Sequence, residues 1–97
     1  NLVHVVIDNE VYESTGKQRS ISSTVSLEKV AKSSGYREAL RVDKKEEIKN
    51  AFEKLMNSEG PGFLLIKVEP CFDPKTGRVT HTPEEITERF MKSLLPR

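Results

Sequence analysis

Val3, Val5, Val6 and Ile7 open the chain as an apolar run that stops abruptly at Asp8-Asn9. Apolar residues fall on both parities of this run, so a strand here has no face to offer water. It must be covered on both sides, as strands of a parallel sheet are when helices pack above and below them. The polar loop that follows carries Tyr12, Ser14, Thr15, Gly16 and Gln18. In open α/β sheets, ligands bind just beyond the carboxyl ends of the strands. An amide at that point offers a neutral oxygen to a hard cation, and Ser, Thr and Gly offer backbone donors to a phosphate. The plain alternative is an Asx turn, in which the side chain only bonds nearby backbone.

The rest of the chain supplies the expected helices. A first helix is predicted over Leu27–Ser34, with Ser26 as cap, Leu27, Val30 and Ala31 as apolar stripe, and Gly35 as stop. Arg37–Val42 reads as a short strand. The second helix has Asp43 and Glu46 in capping-box spacing, and Ile48, Ala51, Phe52, Leu55 and Met56 at i, i+3, i+4, i+7, i+8. Gly60-Pro61-Gly62 ends it and leads into a strand from Phe63 to Glu69, closed by Pro70. Turn residues Asp73 to Gly77 precede Thr82-Pro83-Glu84-Glu85, a helix start with a Thr cap, Pro at the first position and Glu three residues after the cap. Ile86, Phe90, Met91, Leu94 and Leu95 then line the last helix. Phe52/Met56 and Phe90/Met91 are expected in the core. The order β-α-β-α-β-loop-α implies right-handed crossovers and a parallel sheet, an α/β fold with a partial three-layer α/β/α arrangement. Three strands would leave unpaired edges and a partly bare apolar face.

Composition narrows the partners. Sixteen basic and fifteen acidic residues among 97 give a net charge of +1, which offers no field for nucleic acid or an anionic membrane. The apolar stretch around Phe63–Ile66 is far too short to span a bilayer. Cys71 is the single cysteine, reads as a bystander, and fits a reducing, cytoplasmic setting. His4 is expected as a buried, hydrogen-bonded histidine in the first strand. Tyr36 is expected to fill space beside Gly35. With no initiating Met and a strand at residue 2, the chain is expected to be an excised piece of a larger domain.

Three blocks carry a family resemblance: LVHVVIDNEVYESTGKQ (2–18), GPGFLLIKVEP (60–70) and GRVTHTPEEITERFMKSL (77–94). They resemble the carboxyl-terminal part of thiamine-diphosphate-dependent decarboxylases, most closely the phosphonopyruvate and sulfopyruvate branch. Gly77, Arg78, Thr82, Pro83, Glu85, Phe90 and Met91 are similar to that branch in particular. The resemblance implies a thiamine diphosphate-binding fold, with residues 1–97 forming the carboxyl-terminal portion of the diphosphate-binding domain. The upstream Gly-Asp-Gly half would be missing, as would the domain whose Glu activates the cofactor. It implies Mg²⁺ held by the Asn9 side chain and the Val11 carbonyl rather than by Asp8, with Tyr12, Ser14 and Thr15 beside the cofactor. It leaves the catalytic residues unassigned in this chain. The implied reaction turns phosphonopyruvate into phosphonoacetaldehyde and CO₂, with sulfopyruvate as the competing substrate; both are small 2-oxo acids with a terminal anion. The implied assembly is a homo-oligomer or pairing with the missing domain, and the isolated chain is expected to be inactive. A non-catalytic assembly module is the alternative. The family pattern has Gly where Lys17 stands and commonly where Glu10 stands. Lys17 therefore either faces an anionic substrate or points to water. His81 is a weak candidate for proton transfer or substrate contact.

Overall fold

The structure is a computed structural model that describes residues 1–71 and 73–96. Three parallel strands form its centre: β1 (Val3–Asp8), β4 (Glu38–Val42) and β5 (Gly62–Lys67), in the order β1-β5-β4. A two-residue antiparallel hairpin, β2 (Val11–Tyr12) and β3 (Gln18–Arg19), stands after β1. Helices α1 (Leu27–Ser33), α2 (Lys45–Met56) and α3 (Pro83–Leu94) complete the chain.

Topology decides which strand is buried. The chain moves from β1 past a gap to β4, then returns through α2 to place β5 in the gap. Right-handed crossovers that travel in opposite directions set their helices on opposite faces. Accordingly, Ala31 of α1 packs with Phe63 and Leu65 on one face, while Leu55 of α2 packs with Leu64 and Val42 on the other. Successive residues of β5 thus fill the two cores alternately. The expected three-layer arrangement is present.

The expectation that the first strand is buried on both faces is overturned. Among the described residues β1 is an edge strand, paired only with β5, from Val3 opposite Gly62 to Asp8 opposite Lys67. On the α2 side cover reaches only its start, where Val3 packs against the core, and Ile7 is 70% exposed. His4 is likewise exposed rather than buried. Its Nδ1 meets the Tyr36 hydroxyl at 2.9 Å, and its ring sits edge-on to Phe63. Tyr36 packs against the α1-side core instead of merely filling space beside Gly35.

Other expectations fail for local reasons. Ile48, Ala51 and Leu55 of α2 face the sheet. Phe52 and Met56 come one residue later on the helix, about 100° round its axis, and stay exposed. Val30 is exposed beside the buried Ala31. The last helix leaves Phe90 61% exposed, with Ile86, Met91, Leu94 and Leu95 also open, because α3 buries none of its residues against the sheet. Ser26 occupies the cap position of α1 without capping through its side chain, and α2 starts after Lys44, so Asp43 and Glu46 form no capping box. The Thr82–Glu85 box is complete: Glu85 N–H donates to Thr82 Oγ1 at 3.2 Å and Thr82 N–H to Glu85 Oε2 at 2.8 Å. Gly35 follows α1 at φ 101°, a left-handed conformation that stops the helix without a Cβ clash.

Candidate functional site

Asp8, Asn9 and Lys67 come together where β1 and β5 end. Asp8 closes β1 opposite Lys67, which closes β5. Both side chains emerge on the α1 face of the sheet, and the Lys67 ammonium lies 2.7 Å from Asp8 Oδ2. Asp8 Oδ1 accepts the Glu10 N–H and the Ser22 hydroxyl, each at 2.8 Å. Lys67 also reaches Glu10 Oε1 at 2.6 Å. Burial pushes the Asp8 carboxyl up, but the hydrogen bonds from Lys67, Glu10 N–H and Ser22 outweigh it and hold the group below its ordinary value. For Lys67, burial pushes downward and the two carboxylates more than reverse it. Asp8 is therefore a fully engaged anion.

Asn9 stands at the rim. Its Oδ1 accepts the Val11 N–H at 3.2 Å, so the plain Asx turn is real. A carboxamide oxygen has two lone pairs, and the turn uses one. The register of the hairpin determines what Val11 does. Ser20 N–H donates to the Glu10 carbonyl at 2.8 Å, which makes Glu10 and Ser20 a hydrogen-bonded pair. Pairs alternate along an antiparallel ladder, so Val11 and Arg19 form a non-hydrogen-bonded pair. The Val11 carbonyl consequently stays out of the ladder.

A cleft of about 830 Å³ opens here, beyond the carboxyl ends of all three strands. Asn9, Glu10, Val11 and Arg19 line one side, and Lys44 and Lys67 belong to the rest of its wall. Tyr12, Ser14 and Thr15 do not line it. They sit on the exposed side of the hairpin, where the Thr15 hydroxyl donates to Gln18 Oε1 at 2.9 Å. His81 is elsewhere, before α3, with Arg89 beside its Nε2 at 2.6 Å. Cys71 is a free, exposed thiol.

The donor set suits a magnesium diphosphate in part. Two neutral oxygens with spare capacity at the mouth of a cleft suit a hard cation that keeps phosphate and water ligands. They bring no negative charge, and among the described residues no three His, Cys, Asp or Glu side chains assemble as a metal site. The residues fit as part of such a site, the part without a carboxylate.

Glu10 and Lys17, where the resemblance implies glycine, share one backbone conformation. Glu10 and Lys17 have φ of 62° and 60°, the left-handed region that favours glycine. Lys17 turns the hairpin next to Gly16 and has no ion pair among the described residues. Lys17→Gly is expected to raise stability by about 0.5–1 kcal/mol, since relief of left-handed strain exceeds glycine's added chain entropy. Urea unfolding checks this, and a loss of stability would refute it. Glu10→Gly should bring no such gain, because it also removes the carboxylate on Lys67.

A parallel sheet between helices, with a cleft beyond its strand ends, is the place where open α/β domains bind their ligands. Residues 1–68 match the thiamine pyrophosphate enzyme C-terminal TPP binding domain, and the chain belongs to that family. It is 37% identical over 90 residues to a phosphonopyruvate decarboxylase of Streptomyces viridochromogenes, covering 93% of this chain and 23% of that protein. It is 30% identical over 95 residues to a sulfopyruvate decarboxylase of Methanosarcina acetivorans, covering 97% and 24%. It is 28% identical over 95 residues to a sulfopyruvate decarboxylase subunit beta of Methanocaldococcus jannaschii, covering 97% and 50%. The chain thus spans about a quarter of the first two relatives and half of the third. Among the described residues, no helix is long and apolar enough to cross a membrane.

Lys67 was invisible to sequence reasoning as a site residue. A signal existed: it is a cation at the carboxyl end of an otherwise apolar strand, in a chain whose Asn9 is flanked by two acids.

Proposed function

We propose that this chain anchors the magnesium diphosphate in a thiamine-diphosphate-dependent 2-oxo acid decarboxylase that acts on phosphonopyruvate. The observation that carries this reading is the pair of spare oxygens, Asn9 Oδ1 and the Val11 carbonyl, at the mouth of a cleft beyond the strand ends. Bound thiamine diphosphate would supply the carbon nucleophile and electron sink for loss of CO₂. The chain's own residues do the holding: Asn9 and Val11 take the metal, while Tyr12, Ser14 and Thr15 lie outside the cleft and would need a covering partner to meet the cofactor. Because both metal ligands are neutral, this reading calls for a further, charged ligand to balance the cation. The names of the relatives support a substrate with a terminal anion, and sulfopyruvate is the competing one. Assay of the parent protein with both 2-oxo acids decides between them: turnover of sulfopyruvate alone would overturn the assignment.

The same reading makes this chain by itself inactive. Calorimetric titration with thiamine diphosphate and Mg²⁺ should register no binding at micromolar concentrations. A dissociation constant of about 1 μM, roughly −8 kcal/mol, would mean that the chain holds a complete site. The bare edge of β1, exposed Ile7 and the open apolar side of α3 favour pairing with another domain or subunit. Subunit naming among the relatives supports this. The free Cys71 thiol suits a cytoplasmic setting.

A further inference from the structure

Lys67 lies across the sheet from Asp8, and its side chain is only 11% exposed. One ammonium contacts the carboxylate before Asn9 at 2.7 Å and the carboxylate after it at 2.6 Å. A cation from the neighbouring strand therefore grips both flanks of a single residue. Glu10 contributes twice to this arrangement, through its N–H to Asp8 Oδ1 and through its side chain to Lys67. It does so from a left-handed backbone that a residue with a Cβ adopts only when its surroundings hold it there.

We propose that Lys67 is the positioning residue of the Asn9 turn, fixing through Asp8 and Glu10 where the Asn9 amide oxygen stands at the rim of the cleft. Buried ion pairs add little net stability compared with apolar replacements, and their better-supported role is to hold one geometry. Here the geometry held is a turn with three other side-chain bonds among the described residues: Asp8 accepts from Glu10 N–H and from the Ser22 hydroxyl, and Asn9 accepts from Val11 N–H. Removing the bridge frees Glu10 to leave its strained conformation, and Asn9 moves with it. The metal consequence rests on the function proposed above; the structural claim does not.

Amide hydrogen exchange on the isotopically labelled chain tests the claim. In Lys67→Met, the Glu10 and Val11 amides should exchange about tenfold faster relative to Leu64 and Leu65, which report opening of the central strand. Lys67→Arg, which keeps a cation, should restore slow exchange. Unchanged relative protection in Lys67→Met would overturn the proposal. Should Lys67→Met fail to fold, Glu10→Gln takes its place, since it breaks one arm at a half-open side chain. Faster exchange at Glu10 and Val11 then supports the role, and none overturns it. In the parent decarboxylase, Lys67→Met should raise the Mg²⁺ half-saturation about tenfold, with KM for the 2-oxo acid unchanged at saturating metal. If exchange accelerates while the Mg²⁺ requirement stays put, the positioning role stands and the metal assignment of Asn9 falls.

Discussion

Asp8→Ala should cost the chain about 3 kcal/mol, at the low end of the range for breaking a buried ion pair. The side chain is 9% exposed and accepts from Lys67, Glu10 N–H and Ser22. Its loss leaves Lys67 largely buried with Glu10 alone as counter-charge and takes the acceptor from the Glu10 N–H, while the Ser22 hydroxyl keeps Ser20. Most of the energy lost is desolvation of those orphaned groups rather than the attraction itself. The same arrangement shapes the response to pH. Asp8 is held below its ordinary value of 3.8, so its contribution is present above 3.8 and disappears as pH falls through the lowered value. Lys67 is held above 10.5, so its contribution is complete below 10.5 and fades as pH rises through the raised value. Urea unfolding followed by circular dichroism should therefore find a plateau between these limits for the native chain. Asp8→Asn should flatten the acid limb. A loss below 1 kcal/mol in Asp8→Ala would show that water already reaches the pair, contrary to its burial.

The fold was legible wherever a periodic pattern met its own boundary signals. Helix α3 starts at its Thr82 box, α1 stops before Gly35, and Gly60-Pro61-Gly62 delivers β5 within a residue of expectation. Strand order was not legible, because parity and length say that a strand is covered but not which neighbours cover it. β5 takes the centre because the chain's return path inserts it there, and β1 is left at the edge with the apolar face that had implied burial. The hairpin of β2 and β3 was missed, since two-residue strands have no period to detect. At the site, the strand end and its Asn9 stood out. The partnership of Asp8, Glu10 and Lys67 did not, because it joins residues 59 positions apart through a strand register. Glu10 and Lys17 stood out in the sequence only as charges, whereas the backbone shows both to be positions where glycine's conformational freedom is the issue.

Asn9→Ala should separate what its neighbour Asp8 combines. The amide gives up one hydrogen bond, from Val11 N–H at 3.2 Å, in a half-buried turn, a loss of about 1 kcal/mol. Asp8, Glu10 and Lys67 keep one another, so the turn persists and the unfolding midpoint moves little. On the proposed function the metal loses a direct ligand, and the Mg²⁺ half-saturation of the parent decarboxylase should rise about a hundredfold, the upper end of what removing even an outer partner does. Asn9→Asp sharpens the contrast. It restores an oxygen ligand and adds charge, but sets a third carboxylate between Asp8 and Glu10, whose only close cation among the described residues is Lys67. Without Mg²⁺ that variant should be less stable than Asn9→Ala, and added Mg²⁺ should reverse the order, because a divalent ion binds the native state and relieves the repulsion there. A metal-dependent crossover of this kind is foreign to a residue that only makes a turn. If Mg²⁺ leaves the two variants ranked as before, Asn9 is an Asx-turn residue and the metal has to be held elsewhere.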